Sequence, residues 1–185
     1  MAIDIFEPLK DIQGNKLKGA SWYRNAVSLI TDRSSPTALM RSGKLLGRPS
    51  GGRMSMFFYD PKTKNRLPYY DTFPLVLPLE TAKGGFIGLN FHYLPYGARF
   101  AFLQKLQTYA SNAKFDQSTK IQASYDSIKS NKYTKVAIKR YLYSQVRSNF
   151  LRINVDEMAL AAYLPVAQFK GKTLGGVFAA ARKNF

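Results

Sequence analysis

The middle of the sequence contains three runs of aromatic and aliphatic residues, each separated from the next by a turn sequence. The runs cover residues 54–59, 69–79 and 86–94. Asp60-Pro61 and Lys83-Gly84-Gly85 are typical of turns, and aromatic or β-branched runs between such turns predict strands. Because consecutive strands joined by turns pair antiparallel, we expect a small antiparallel, barrel-like sheet of three to four strands.

The second of these runs contains two prolines, Pro74 and Pro78. A proline cannot donate a hydrogen bond to a neighbouring strand, so it is rare in the middle of a central strand. We therefore expect this strand to lie at an edge of the sheet or to contain a bulge.

Helical periodicity dominates after residue 96. Apolar residues recur at helical spacing over residues 97–112, over 131–150 and again near the C-terminus. Together with the strands, this pattern predicts an α+β fold in which residues 54–96 are rich in β-structure and residues 97–185 are mostly helical. In the helix expected over residues 131–150, the apolar residues gather on one side and most of the basic residues on the other.

The first 53 residues form the other predicted unit, an N-terminal helix followed by a basic flexible arm. Ser21 can cap the helix, and the chain from Arg33 to Arg53 is rich in Ser, Gly, Pro and Arg. Such a composition buries little apolar surface, which is typical of a mobile segment. A plain linker is the competing interpretation of this stretch. Residues 54–185 are then a single α+β domain.

The charge of the chain indicates an anionic partner. Its 28 Lys and Arg outweigh 11 Asp and Glu, for a net charge of +17. The net charge is +5 over residues 1–53, +3 over 54–110 and +9 over 111–185. The excess therefore flanks a nearly neutral aromatic segment, and a nucleic acid or an acidic protein surface would complement it.

The supply of catalytic and metal-binding residues is thin. The chain has no cysteine and one histidine, His92, which we interpret as a hydrogen-bonded structural residue. Asp60, Asp71 and Glu80 fall in the β-rich segment, where turn and cap functions explain them better than a metal site does. No Walker or Rossmann glycine pattern is present. We therefore expect no enzyme, no cofactor and no metal, and the lack of a long apolar run argues against a membrane.

The candidate binding residues are the basic residues of the arm and of the predicted helix, with one tyrosine among them. They are Arg33, Arg41, Lys44, Arg48, Arg53, Lys132, Lys139, Arg140, Tyr143 and Arg147. Lysine and arginine arrays bind polyanions through counterion release, and tyrosine can stack on an exposed base. A solvated helix face is the alternative interpretation. No helix-turn-helix or zinc-finger pattern supports recognition of a base sequence.

Three segments resemble a family of small basic virion proteins of large contractile-tailed phages, including cyanophages. The segments are residues 54–62, 67–76 and 84–95, and pieces of residues 141–148 and 156–165 are similar to the C-terminal half of the same family. The resemblance implies a DNA end protector, a head-completion protein that shields the ends of packaged DNA. The chain departs from the family pattern at Met158, where we expect tryptophan.

Two hypotheses follow. In the first, the protein binds DNA without sequence preference and caps its ends at the head-tail junction. In the second, it is a structural subunit of the neck, tail or baseplate, and its basic residues dock on acidic partner subunits. Both place it in the virion, assembled in the host cytoplasm, as an oligomer in contact with portal, neck, tail or baseplate proteins.

Overall fold

The computed structural model describes residues 4–14, 17–111 and 134–183, together with residues 126, 128, 130 and 131. Its strands are β1 (Leu45–Leu46), β2 (Ser55–Met56), β3 (Tyr70–Asp71), β4 (Leu75–Ala82), β5 (Gly85–Asn90), β6 (Ile138–Leu142), β7 (Phe150–Arg152) and β8 (Phe169–Lys170). Six of them form one antiparallel sheet in the order β1-β7-β2-β4-β5-β6, and β3 pairs with β8 in a separate two-stranded ribbon.

The described residues contain six α-helices, which makes the fold α+β as predicted. They are α1 (Glu7–Gln13), α2 (Ala20–Ser28), α3 (Pro36–Ser42), α4 (Tyr96–Ser111), α5 (Met158–Tyr163) and α6 (Leu174–Arg182). Side-chain caps fix several starts: Ser35 accepts from the amide of Ala38, and Thr173 accepts from that of Gly176. No helix in the described part of the chain combines the length and the apolar character that a bilayer span requires.

Two hydrophobic clusters fill the interior. The larger joins residues of α1, α2, α3 and α5 to strand residues such as Met56, Leu75 and Leu89. The smaller is mainly aromatic and consists of Phe57, Tyr59, Val76, Phe86, Tyr141 and Phe150. Because neighbouring residues of a strand face opposite sides, Leu75 and Val76 contribute to different clusters.

The sheet corrects the predicted strand number and shape. It has six strands rather than three or four, and it is open, with β1 and β6 at its two edges, rather than a barrel. The extra strands come from residues outside the aromatic middle segment, because β1, β6 and β7 all pair with distant parts of the chain.

The proline-containing strand β4 is a central strand, so its predicted edge position is wrong. It lies between β2 and β5. The predicted bulge is confirmed, since the register with β5 shifts between Pro78 and Glu80. A bulge leaves the ladder locally irregular, which accommodates a residue that lacks an amide hydrogen.

The prediction of a helix over residues 131–150 is wrong for the described part of this stretch, residue 131 and residues 134–150. Residues 138–142 form β6, which pairs with residues 85–89 of β5 and has Tyr141 opposite Phe86. The apolar residues of this stretch fit strand alternation as well as a helical stripe, and burial of Tyr141 against β5 selects the strand. The C-terminal half therefore contains three strands in addition to its helices.

Much of the segment predicted as a flexible arm is regular structure. Leu39, on α3, is fully buried in the larger core, and β1 pairs with β7. Tyr23 is fully buried in the same core and lies on α2, in the stretch predicted as the N-terminal helix. The helices bury their apolar faces on the same core as the later strands. The division of the chain at residue 53 stays a prediction.

Candidate nucleic-acid interface

The side chains of Arg48 and Tyr143 meet at one end of the six-stranded sheet. The guanidinium carbon of Arg48 lies 5.3 Å from the ring centre of Tyr143. A cation over a tyrosine ring is attracted by the ring quadrupole, and arginine stacks well because its guanidinium is planar. Arg48 is exposed and Tyr143 is half-buried, so the pair presents both a charge and a ring to solvent.

The turn between β4 and β5 adds two more cations beside this pair. The amide of Tyr143 donates to the carbonyl oxygen of Gly84 at 2.9 Å. The Nη2 of Arg140 donates to the carbonyl oxygen of Lys83 at 2.8 Å, and both side chains are exposed. The turn is sharp because Gly84 adopts a φ of 73°, a conformation that glycine reaches without strain.

Arg147 completes the group and contacts Ser144, the residue that follows Tyr143. Its Nη1 donates to the carbonyl oxygen of Ser144 at 3.2 Å. Its Nη2 lies 3.8 Å from Asp60, whose carboxylate also contacts the Nζ of Lys64 at 2.9 Å. The hydrogen bond from Lys64 holds the pKa of Asp60 below its usual value, so this carboxylate is ionised at neutral pH.

We call Arg48, Lys83, Arg140, Tyr143 and Arg147 the basic rim. Four of these five residues are among the candidates taken from the sequence, and the fold brings them together from three separate segments. Lys83 was missed. The sequence marks it only as part of a Lys-Gly-Gly turn, and its place beside Arg140 depends on the pairing of β5 with β6.

The smaller core cluster lies directly against the basic rim and makes it rigid. Tyr143 packs against Phe86 with 5.8 Å between ring centres, and Phe86 is stacked on Tyr141 at 5.3 Å. The hydroxyl of Tyr59 accepts from the amide of Leu142 at 3.2 Å, which fixes the end of β6. Interlocked rings of this kind hold one arrangement, so the rim residues are displayed on a firm support.

Lys139 does not belong to the basic rim. Its Nζ lies 4.3 Å from the ring centre of Tyr93, and burial lowers the pKa of its ammonium group. On the sheet, Lys139 pairs with Gly88 of β5. A lysine that covers a tyrosine ring in this way contributes more to packing than to an exposed charged surface.

The other candidates lie elsewhere. Arg33 ends a short 3₁₀ turn, Arg41 lies in the last turn of α3 and Arg53 lies in the turn before β2, all of them exposed. Lys44 precedes β1, and its carbonyl oxygen accepts from the amide of Arg152 at 3.0 Å. Lys132 lies outside the described residues. Binding by these residues stays a prediction.

Asp71 and His92 form a buried pair that the sequence assigned to structure rather than to catalysis. The Nδ1 of His92 lies 2.7 Å from Oδ2 of Asp71, which also accepts from Asn90 at 3.1 Å. Burial lowers the pKa of His92, so the imidazole is neutral and donates from Nδ1. The hydrogen bonding predicted for His92 is confirmed, and its structural role stays a prediction.

The carboxylates considered as a metal site are not assembled into one. Asp71 is buried in the polar cluster with His92, whereas Asp60 lies at the surface with Lys64 and Arg147. The described part of the chain contains no group of three or more His, Cys, Asp and Glu side chains that could hold a metal ion.

Residues 15–183 match the family model described as phage T4 terminal DNA protecting protein. The match spans all the strands and all the helices except α1, and it confirms the resemblance drawn from the sequence. No curated protein and no solved structure shows significant similarity to the chain.

Proposed function

The chain belongs to the family of phage T4 terminal DNA protecting proteins, and from this membership we propose that it binds and covers the ends of packaged phage DNA. We further propose that it does so at the head-tail junction, as an oligomer in contact with other virion proteins. The family assignment carries this proposal. The basic rim supports it, because the rim gives an acidic polymer a surface to bind.

The basic rim suits the DNA backbone rather than the bases. It offers four exposed cations around one half-buried ring. The carboxylate of Asp60 lies 3.8 Å from Arg147 and is also paired with Lys64. Lysine and arginine contacts to phosphate release counterions and give binding that is independent of sequence. A terminal base that displaces the guanidinium of Arg48 can stack on the ring of Tyr143.

Protection by occupancy requires no catalysis, and the proposed function is non-catalytic. A protein seated on a DNA end excludes an exonuclease by blocking access to the terminal nucleotides. Two carboxylates that a metal-dependent nuclease could use already have other partners. Asp71 binds His92 and Asn90, and Asp60 binds Lys64.

The decisive experiment compares linear duplex DNA with a closed circle of the same sequence. We expect binding to linear DNA at low salt, a steep loss of affinity as salt rises, and protection of the linear form from an exonuclease. Equal affinity for circle and linear DNA would contradict end recognition. Lack of any binding to linear DNA at low salt would instead favour the structural subunit that docks on acidic partners.

An Asp60→Asn variant separates the electrostatic proposal from a nuclease. Removing this carboxylate leaves the cations of the basic rim less opposed, so we expect DNA affinity to rise and protection to persist. A metal-dependent nuclease that uses Asp60 would show the opposite pattern, with DNA cleavage by the wild-type protein that the variant abolishes.

A further inference from the structure

A cleft of about 470 Å³ lies beside the two-stranded ribbon of β3 and β8. Its lining residues are Thr72, Ala167, Gln168, Phe169, Lys170, Lys172, Thr173 and Leu174. None of these described lining residues is acidic, and both lysines are exposed. The cleft is therefore concave and positively charged, and its size is in the range of small-ligand sites.

The two lysines are held in place by a tight loop. Gly171, between them, adopts a φ of 85°, and a Cβ atom there would collide with the carbonyl oxygen of Pro68. The Nζ of Lys172 lies 4.6 Å from the ring centre of Tyr69. Lys170 pairs with Tyr70 across the ribbon. The backbone of the loop is thus pinned on residues 68–70, and Lys172 rests against the ring of Tyr69 before a ligand arrives.

Hydroxyl and amide groups complete the cleft. Thr173 Oγ1 accepts from the amide of Gly176 at 3.2 Å, so its own hydrogen remains available to donate. Gln168 offers an exposed side-chain amide. Asp71, a residue of β3, is buried, and its carboxylate accepts from the backbone amides of Phe73 and Gln168 and from the side-chain amide of Asn90.

We propose that this cleft binds the terminal phosphate monoester of a DNA end. A monoester carries close to two negative charges near neutral pH, whereas an internal phosphodiester carries one. An end group can also reach into a concave cleft from one side, while an internal phosphate is flanked by continuing chain on both sides. Two lysines in a concave site therefore favour a phosphorylated end over any interior position. This inference rests on the proposed function and adds the chemical feature by which an end is recognised.

The test uses hairpin duplexes that have a single open end. The end carries a 5′-phosphate, a 3′-phosphate or only hydroxyl groups, and binding is followed by fluorescence anisotropy. We expect one of the phosphorylated ends to bind about tenfold more tightly than the hydroxyl end, since a charge-assisted hydrogen bond to phosphate supplies that much. Which phosphate is preferred identifies the strand end that enters the cleft.

Three variants at two lysines localise the effect. Lys172→Gln should abolish the preference for the phosphorylated end, and Lys172→Arg should retain most of it. Lys183→Gln removes an equal charge from the far end of α6, roughly 13 Å along the helix axis, and should keep the full preference. Circular dichroism of the variants checks that each is folded.

The possible failures of this inference and of the proposed function are distinct. Equal binding of all three ends, with exonuclease protection intact, would overturn the cleft as a phosphate site and leave end protection standing. A preference that survives Lys172→Gln would overturn it too. If the protein binds no DNA, titration with thymidine 5′-monophosphate followed by NMR still decides whether the cleft is a phosphate site. Chemical-shift changes at Lys170–Thr173 support the phosphate site, and their absence refutes it.

Discussion

The guanidinium carbon of Arg48 lies 5.3 Å from the ring centre of Tyr143, although the two residues follow the strands at opposite edges of the sheet. Arg48 follows β1 and Tyr143 follows β6. The sheet remains open, yet the loops after its edge strands meet over the aromatic cluster. A bridge between Tyr59 and Val146 holds the second of these loops on the end of the sheet. The basic rim is therefore a product of the whole topology and not of one helix.

The first prediction concerns the salt dependence of DNA binding. Each phosphate contact contributes about −0.9 to the slope of log affinity against log salt concentration. We therefore expect the double variant Arg48→Gln, Arg147→Gln to flatten the slope by about 2 and to weaken binding to all sequences equally. Lys105→Gln, which removes an exposed charge from α4, is the control and should leave the slope nearly unchanged. An unchanged slope in the double variant would place the DNA elsewhere.

Tyr143 should matter most for ends that expose unpaired bases. Stacking on an aromatic ring contributes about 1–3 kcal/mol per base, while a base inside a duplex is already stacked. Tyr143→Ala is therefore expected to weaken binding to a DNA end with a single-stranded overhang more than binding to a blunt end. Tyr143→Phe keeps the ring and serves as the control. Competition between the two kinds of end measures the difference, and equal losses would argue against stacking.

A network around Lys10 ties α1 to the C-terminal half. Its Nζ lies 2.8 Å from Glu7, 3.2 Å from Asp4 and 3.1 Å from Glu157, and these carboxylates raise its pKa against the opposing effect of burial. Glu157 is buried and also accepts from the amide of Asn154 at 2.8 Å, so it depends on Lys10 for its counter-charge.

Lys10→Met should therefore destabilise the protein by about 2 kcal/mol, because it leaves the buried carboxylate of Glu157 without a cation. Glu7→Gln removes an exposed partner of the same lysine and is expected to cost no more than about 0.5 kcal/mol. Urea denaturation of the two variants gives both values. Similar values for the two variants would mean that burial of Glu157 does not govern the effect.

The buried His92 makes stability depend on pH. Burial lowers its pKa below the ordinary value of 6.5. Just below pH 6.5, the folded protein therefore keeps the imidazole neutral, while the unfolded chain takes up a proton. The stability that the protein gains from keeping His92 neutral is fully present above pH 6.5, and it is lost as the pH falls below that value. We expect the free energy of unfolding to fall by about 1 kcal/mol between pH 7.5 and pH 5.5.

His92→Gln provides the comparison for this pH dependence. The variant is expected to be less stable than the wild type at pH 7.5, since Asp71 loses a short hydrogen bond, but its stability should change less between the two pH values. Denaturation midpoints measured at both pH values test this. A pH dependence equal to that of the wild type would assign the effect to another group.

Some elements of the fold are determined by short stretches of sequence, and others by pairing between distant parts of the chain. Strands β4 and β5 and the helices α4 and α6 follow from turn sequences and periodicity, which are read within a short window. The run of residues 69–79 predicted one strand but forms β3 and part of β4 in two different sheets, and the strand predicted over 86–94 ends at Asn90, where a 3₁₀ turn begins. Residues 138–142 fit two periodicities, and only their pairing with β5 decides between helix and strand. The contact of Arg48 with Tyr143 depends on two such long-range pairings. The sequence could therefore nominate both residues but could not place them together.

The last prediction concerns Gly85, where β5 approaches β6 too closely for any side chain. A Cβ atom at Gly85 would collide with the carbonyl oxygen of Tyr141, an atom of the neighbouring backbone that cannot rotate away. Gly85→Ala should therefore destabilise the protein by about 3 kcal/mol or more and, by displacing β6, weaken DNA binding at the basic rim. Gly175 lies in α6 with open space around its Cβ position, so Gly175→Ala should instead stabilise the protein by up to about 1 kcal/mol. Thermal and urea denaturation of the two variants show whether each change lowers or raises the free energy of unfolding. A harmless Gly85→Ala would show that β5 and β6 are not paired in the register that builds the rim.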